Sequence, residues 1–164
     1  MRLATAPDAE QIAALGTDLD RLGMAEDDIE IEREMLQALV ERQTLASSIR
    51  HAGLPLIETG HRVVGVDRCH FSAPASMPDQ AGQPAGRLLL TNCRAIFVGG
   101  AAGTTAPWHT IIDVTGANRD VLLVRRGRED LLRFRCNSYS DALRAVFIAN
   151  HLVKPSLTRA RPEP

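Results

Sequence analysis

Short apolar segments separated by turn-forming residues dominate the chain from residue 61 to residue 136, and this pattern constrains the fold more than any other feature. Gly or Asn stands between most of the segments, as is typical of hairpin turns. The segment 130–136 alternates between apolar residues and arginines, so its two faces differ in polarity. Closely spaced strands of this kind predict an antiparallel sandwich or barrel. The predicted strands are 61–71, 87–91, 93–98, 108–115, 120–126 and 130–136, with irregular loops over 72–86 and 99–107.

The residues before position 60 follow a helical period instead. Apolar residues recur at spacings of three and four over 8–22, where Asp8 is the candidate N-cap and Gly23 the candidate stop. A second helix is predicted over 26–50, and its acidic opening suits the positive end of a helix dipole. Together these segments predict a helical hairpin over residues 1–59.

One amphipathic helix is predicted after the last strand, beginning near residue 138 and ending before Pro155, since proline interrupts helical hydrogen bonding. The chain therefore divides into the hairpin, a β-rich domain over 60–153 and a disordered tail over 154–164. The predicted fold class is α+β.

Charge is distributed unevenly along the 164 residues, although the formal net charge is only −1. Residues 1–60 hold five arginines and twelve acidic residues, a net −7, whereas residues 61–164 carry +6. Packing of an acidic helical part against a basic part of the same molecule, or of a second copy, would explain this split. A plain difference in surface composition between helices and strands would explain it equally well, because salt screens exposed charges over about 8 Å.

Cysteine usage and hydropathy restrict the compartment and the chemistry. The three cysteines lack metal-binding spacing and favour buried thiols in a reducing cytosol, so no metal and no cofactor is expected. No apolar run approaches the ~18–20 residues of a membrane span, and residues 1–6 do not resemble a signal peptide. A cytoplasmic protein that does not cross a membrane is predicted. One Trp and one Tyr offer too few stacking side chains for single-stranded nucleic acid, and nucleic-acid binding is not expected.

Residues 86–99 carry a specific pattern: a leucine-rich strand, Thr91-Asn92, an arginine, and an apolar strand that ends near Phe97. This stretch resembles the strand pair of GRAM-type domains in the pleckstrin-homology-like (PH-like) superfamily, and the order of elements that follows is also similar. The resemblance covers about residues 60–153. It implies a bent, partly open antiparallel β-barrel of about seven strands, capped by the C-terminal helix.

The same resemblance implies binding rather than catalysis, because such domains recognise phosphoinositides, peptides or partner proteins. No catalytic residue is predicted. The largest basic cluster is predicted to offer a cationic face to an acidic protein, a phosphate or an anionic lipid, and a solvated face with cross-strand ion pairs is the alternative. Its members are Arg119, Arg125, Arg126, Arg128, Arg133 and Arg135.

The apolar stripes of the N-terminal helices must be buried somewhere, since a short helical hairpin is marginal alone in water. They could cover their own barrel or contact another protein or another copy. Protein–protein or self-association is therefore the leading functional hypothesis, and peripheral binding of an anionic lipid or ligand is the alternative. The candidate contact residues are Met35, Leu36, Leu39 and Val40.

Overall fold

The computed structural model describes residues 7–100, 103–129 and 131–159, the last five of these by their backbone only. It shows an α+β protein, as predicted. The helices are α1 (Ala9–Arg21), α2 (Glu30–Ala52) and α3 (Tyr139–Arg159). The strands are β1 (Cys69–Ser76), β2 (Ala85–Thr91), β3 (Arg94–Gly99), β4 (Thr104–Pro107), β5 (Ile111–Ala117), β6 (Asp120–Arg125) and β7 (Leu131–Cys136).

All seven strands form one antiparallel sheet in the order β4-β3-β2-β1-β7-β6-β5. β1 pairs with β2 along its length, whereas only Ala75 and Ser76 at its end pair with β7. The two outer strands, β4 and β5, follow each other in the chain across a 3₁₀ turn at Trp108–Thr110 and do not pair, so the sheet is not closed. The PH-like identity of this fold stays a prediction.

The core lies between the inner face of the sheet and α3. Period-two alternation places Leu88 and Leu90 of β2 in this core, and α3 adds a stripe that includes Ile148 and Ala149. Trp108 is fully buried there, and its indole Nε1 donates a hydrogen bond to the carbonyl of Thr91 at 2.8 Å. The predicted C-terminal helix therefore does cover one face of the sheet.

α2 packs on the outer side of α3, and α1 packs on α2. Asp8 caps α1 as predicted: its carboxylate accepts the N–H of Gln11, and the Gln11 side chain accepts the N–H of Asp8 in return. α1 crosses α2 at Gly16, where an added Cβ would lie 3.3 Å from Leu36. The hairpin is thus a cover on its own chain.

Several predicted boundaries were wrong. A 3₁₀ turn at Glu26–Asp28 precedes α2, which begins only at Glu30. α3 continues through Pro155 to Arg159, so that proline costs one backbone hydrogen bond without ending the helix. Residues 154–159 of the predicted disordered tail therefore belong to α3, and residues 160–164 lie outside the described part of the chain.

The predicted strand and loop limits around β1 and β4 also need correction. Residues 61–68 form turns rather than a strand, and β1 extends through Pro74 into the region predicted to be a loop. Pro74 is tolerated because it stands just before β1 begins to pair with β7, where the strand still has an open edge. β4 occupies part of the other predicted loop, and only Ala106 of this strand is buried, so its apolar signal is weak.

Candidate interaction site

The predicted contact residues of α2 are partly exposed. Within α2, Ala38 alone is fully buried. Met35 and Val40 are each 43% exposed, while Leu36 and Leu39 are half-buried. The intramolecular packing of α2 therefore covers its apolar stripe only in part.

Two apolar grooves meet on this stripe at Met35 and Leu39. One lies between α1 and α2, encloses about 270 Å³ and is lined also by Leu15, Leu19 and Leu36. We call the continuous surface that the two grooves form the α2 groove.

The second part of the α2 groove lies between α2, α3 and the β5–β6 hairpin and encloses about 250 Å³. Its further lining includes Gly116, Tyr139 and Val146. Val40 lines neither part. The structure thus brings together three of the four predicted contact residues.

Carboxylates of α2 hold this helix against the start of α3. Glu34 Oε2 lies 2.8 Å from Arg119 Nη2, and Glu34 Oε1 accepts the backbone N–H of Tyr139 at 2.9 Å. The Arg119 guanidinium also lies 5.0 Å from the centre of the Tyr139 ring. Arg119 is therefore a structural link between the β5–β6 turn and α2.

A second carboxylate repeats this arrangement two helical turns later. Glu41 accepts hydrogen bonds from the hydroxyl of Ser140 and from the side chain of Gln37. These hydrogen bonds lower the pKa of Glu41 below its ordinary value of 4.5, and the bond from Ser140 has the larger effect. The sequence contains a signal for this pair: Glu34 and Glu41 are seven residues apart, which places them on one helix face.

The segment that contains α1 and α2 is strongly acidic. Residues 7–41 contain eleven carboxylates and two arginines, a formal net charge of −9. Both arginines already bind carboxylates of these helices, since Arg21 pairs with Asp18, and Arg33 pairs with Asp20 and Glu26. Glu32 lines the groove between α1 and α2, so a carboxylate borders the apolar surface within this acidic segment.

Three of the six predicted cationic residues, Arg119, Arg133 and Arg135, are engaged by carboxylates. Arg133 Nη2 lies 2.7 Å from Asp79, and Arg135 binds both oxygens of the buried Asp120 at 2.8 and 3.1 Å. Asp120 and Arg135 are direct cross-strand neighbours, an arrangement that agrees with the alternative of cross-strand ion pairs.

The remaining three, Arg125, Arg126 and Arg128, lie at the end of β6 and in the turn that follows it. Arg126 and Arg128 are exposed. Asp130, the expected partner of Arg128, lies outside the described residues. The six arginines do not form one continuous group of unpaired cations, and a binding role for them stays a prediction.

The three thiols differ in burial, and each has a raised pKa. Cys69 and Cys136 are buried, and burial raises the pKa of Cys69 and raises that of Cys136 to about 12. Cys93 is exposed, but partial desolvation and the Asp67 carboxylate raise its pKa as well. Among the residues that the structure describes, no group of three or more His, Cys, Asp or Glu side chains is placed to hold a metal ion.

Comparisons with known proteins give no family. No family model and no curated protein sequence matches the chain. Solved structures that match include the C-terminal domain of an unknown protein from Leishmania infantum, with 15% sequence identity and a TM-score of 0.44 over 70% of this chain and 99% of that one. None of the helices in the described ranges is long and apolar enough to span a bilayer.

Proposed function

We propose that the chain is a non-catalytic protein-interaction module and that the α2 groove is its binding surface. The observation that carries this proposal is the continuous apolar surface centred on Met35 and Leu39, which the packing of α1, α2 and α3 leaves open. Apolar grooves are typical sites for a partner helix, which inserts a stripe of apolar side chains.

The occupant that fits is an amphipathic helical segment of a partner protein with Lys or Arg beside its apolar stripe. The apolar lining of the groove calls for an apolar stripe, and the net charge of −9 over residues 7–41 calls for cations next to it. Because the arginines of this region are already ion-paired, a basic partner would meet carboxylates such as Glu32 at the groove wall.

A second copy of the chain fits the same groove less well. In a two-fold symmetric dimer the same patch lies on both sides of the interface. The two copies of the acidic segment 7–41 would then lie close together, and like charges in such a contact oppose association. The charges therefore favour a basic partner over self-association.

Binding of a synthetic helical peptide with a leucine stripe flanked by lysines tests the proposal, measured by fluorescence anisotropy on the full chain. We expect Met35→Asp and Leu39→Asp each to weaken binding about tenfold or more, because each places a charge in the apolar contact. The matched control is Leu56→Asp, which alters a leucine that is 69% exposed and outside the groove, and it should bind as the wild type does.

Three outcomes would overturn the proposal. The first is that the peptide does not bind. The second is equal weakening by Leu56→Asp and Met35→Asp, which would show that the loss of binding is not specific to the α2 groove. The third is a concentration-dependent increase in solution mass that Met35→Asp abolishes, which would assign the groove to a second copy.

A further inference from the structure

The turns over residues 61–68, which we call the valine loop, are held firmly in place although they were predicted to be a strand. Successive backbone hydrogen bonds join Val64 to His61, Gly65 to Arg62 and Asp67 to Val64, and Gly65 has a φ of +60°. The side chain of Val64 is buried against the outer face of the sheet.

Side chains at the β2–β3 turn fasten the far end of the valine loop. The Asp67 carboxylate lies 2.9 Å from Arg94 Nε and 3.2 Å from the hydroxyl of Thr91. Asn92 accepts the N–H of Arg68 through its side chain at 2.7 Å and donates its own N–H to the Arg68 carbonyl at 2.9 Å. The loop is therefore a preformed surface feature.

This fastened loop presents apolar side chains to solvent. Val66 is 100% exposed and Val63 is 48% exposed. Single exposed apolar residues are common on protein surfaces. Here two exposed valines lie on one ordered turn, which the buried Val64 between them helps to anchor, and together they form a projecting apolar tip.

Unpaired cations flank the tip on both sides. Arg62 and Arg68 are exposed, and neither side chain forms an ion pair with any residue in the described ranges. The carboxylate of the loop, Asp67, is neutralised by Arg94. The valine loop therefore combines an apolar tip with two available positive charges.

We propose that the valine loop binds the surface of an anionic lipid bilayer. Val63 and Val66 enter the region between the headgroups, while Arg62 and Arg68 bind lipid phosphates. The shape of the loop favours lipid over protein, because a fluid bilayer can close around a projecting tip, whereas a protein partner would need a matching pocket. This surface is separate from the α2 groove and from the arginines of β6 and β7.

Co-sedimentation of the full chain with phosphatidylcholine vesicles, with and without phosphatidylserine, tests this proposal. We expect binding only to the anionic vesicles, with an affinity that falls as salt rises. Val66→Asp should weaken binding about tenfold, since it removes a valine from the apolar layer. The double change Arg62→Gln and Arg68→Gln should also weaken binding and reduce its salt dependence.

Matched variants keep the result interpretable. Val66 is fully exposed, so Val66→Asp should unfold in urea as the wild type does. Two control variants should retain vesicle binding: Leu56→Asp, at an exposed leucine outside the loop, and Met35→Asp, in the α2 groove. Failure of the groove proposal would therefore not affect the proposal for the valine loop.

Failure of the wild type to bind anionic vesicles would overturn the inference, as would equal binding by Val66→Asp. A change in solution mass caused by Val66→Asp, without vesicle binding, would assign the loop to a protein contact instead.

Discussion

The carboxylate of Glu34 and the guanidinium of Arg119 lie 2.8 Å apart, although 85 positions separate them in the chain. The same carboxylate accepts the first N–H of α3, at Tyr139, where helix N–H groups have no intrahelical partner. One side chain of the N-terminal hairpin is thus bound to two elements of the β-rich domain. The acidic and basic parts of the sequence meet here within one molecule.

Glu34→Ala should lower the free energy of unfolding by about 1–2 kcal/mol, because it removes a partly exposed ion pair and a helix-capping hydrogen bond. Urea unfolding at neutral pH measures this loss. Glu30→Ala is the control, since Glu30 is exposed at the start of the same helix and should change stability by less than about 0.5 kcal/mol. Equal losses in the two variants would contradict a linking role for Glu34.

The contact between Glu41 and Ser140 should make stability depend on acid pH. The pKa of Glu41 is lowered in the folded state, chiefly by the Ser140 hydroxyl. A carboxylate with a depressed folded pKa stabilises the fold above its unfolded pKa, and this contribution is lost as the pH falls through the folded value.

Accordingly, the wild-type free energy of unfolding should fall as the pH drops below the ordinary glutamate pKa of 4.5, and Ser140→Ala should show a shallower fall. Urea titrations at a series of pH values measure both slopes. Ser48→Ala, at an exposed serine of α2, should keep the wild-type slope. Identical slopes in the wild type and Ser140→Ala would refute the role of the hydroxyl.

Thr91 is fully buried at the turn between β2 and β3, and its hydroxyl accepts the backbone N–H groups of Cys93 and Arg94. Thr91→Val should lower the free energy of unfolding by about 1–3 kcal/mol, because these donors lose their partner while the side-chain shape is kept. The same change at the exposed Thr115 of β5 is the control and should be nearly neutral in urea unfolding. A neutral Thr91→Val would show that the hydroxyl is not needed.

The thiols should differ in reactivity. Iodoacetamide should modify Cys93 in the native protein, and more slowly than it modifies a free thiol, because the Cys93 pKa is raised. Cys69 and Cys136 should react only in urea, since both are buried. Mass spectrometry of peptides from native and unfolded samples measures this order. Rapid modification of Cys136 in the native protein would contradict the burial shown here.

Local sequence patterns predicted the structure correctly where it depended on a few neighbouring residues. Asp8 was identified as an N-cap because it stands just before apolar residues at helical spacing, which is a short-range property. β7 was identified because its alternation matches the strand period. The pattern failed where tertiary packing overrode it: the valines at 63, 64 and 66 suggested a strand, whereas Asp67 and Asn92 hold that segment in turns.

The candidate site was predictable only in part. Met35, Leu36 and Leu39 were found because an apolar stripe on an acidic helix is visible in the sequence. These residues line an open groove because α1 and α3 cover α2 only in part. The spacing of residues along the sequence does not contain this information. Likewise the arginine cluster was visible, but its carboxylate partners come from other elements.

By itself, the sequence determined the α+β class, most of the strands and helices, and which side of each is apolar, because these depend on side-chain period and turn chemistry over a few residues. Tertiary structure alone decided that α2 covers α3, that three of the arginines are neutralised, and that the valine loop stays exposed. The physical reason is that pairing of charges and burial of apolar faces depend on distances between segments remote in the chain, and those distances exist only once the sheet and helices have packed.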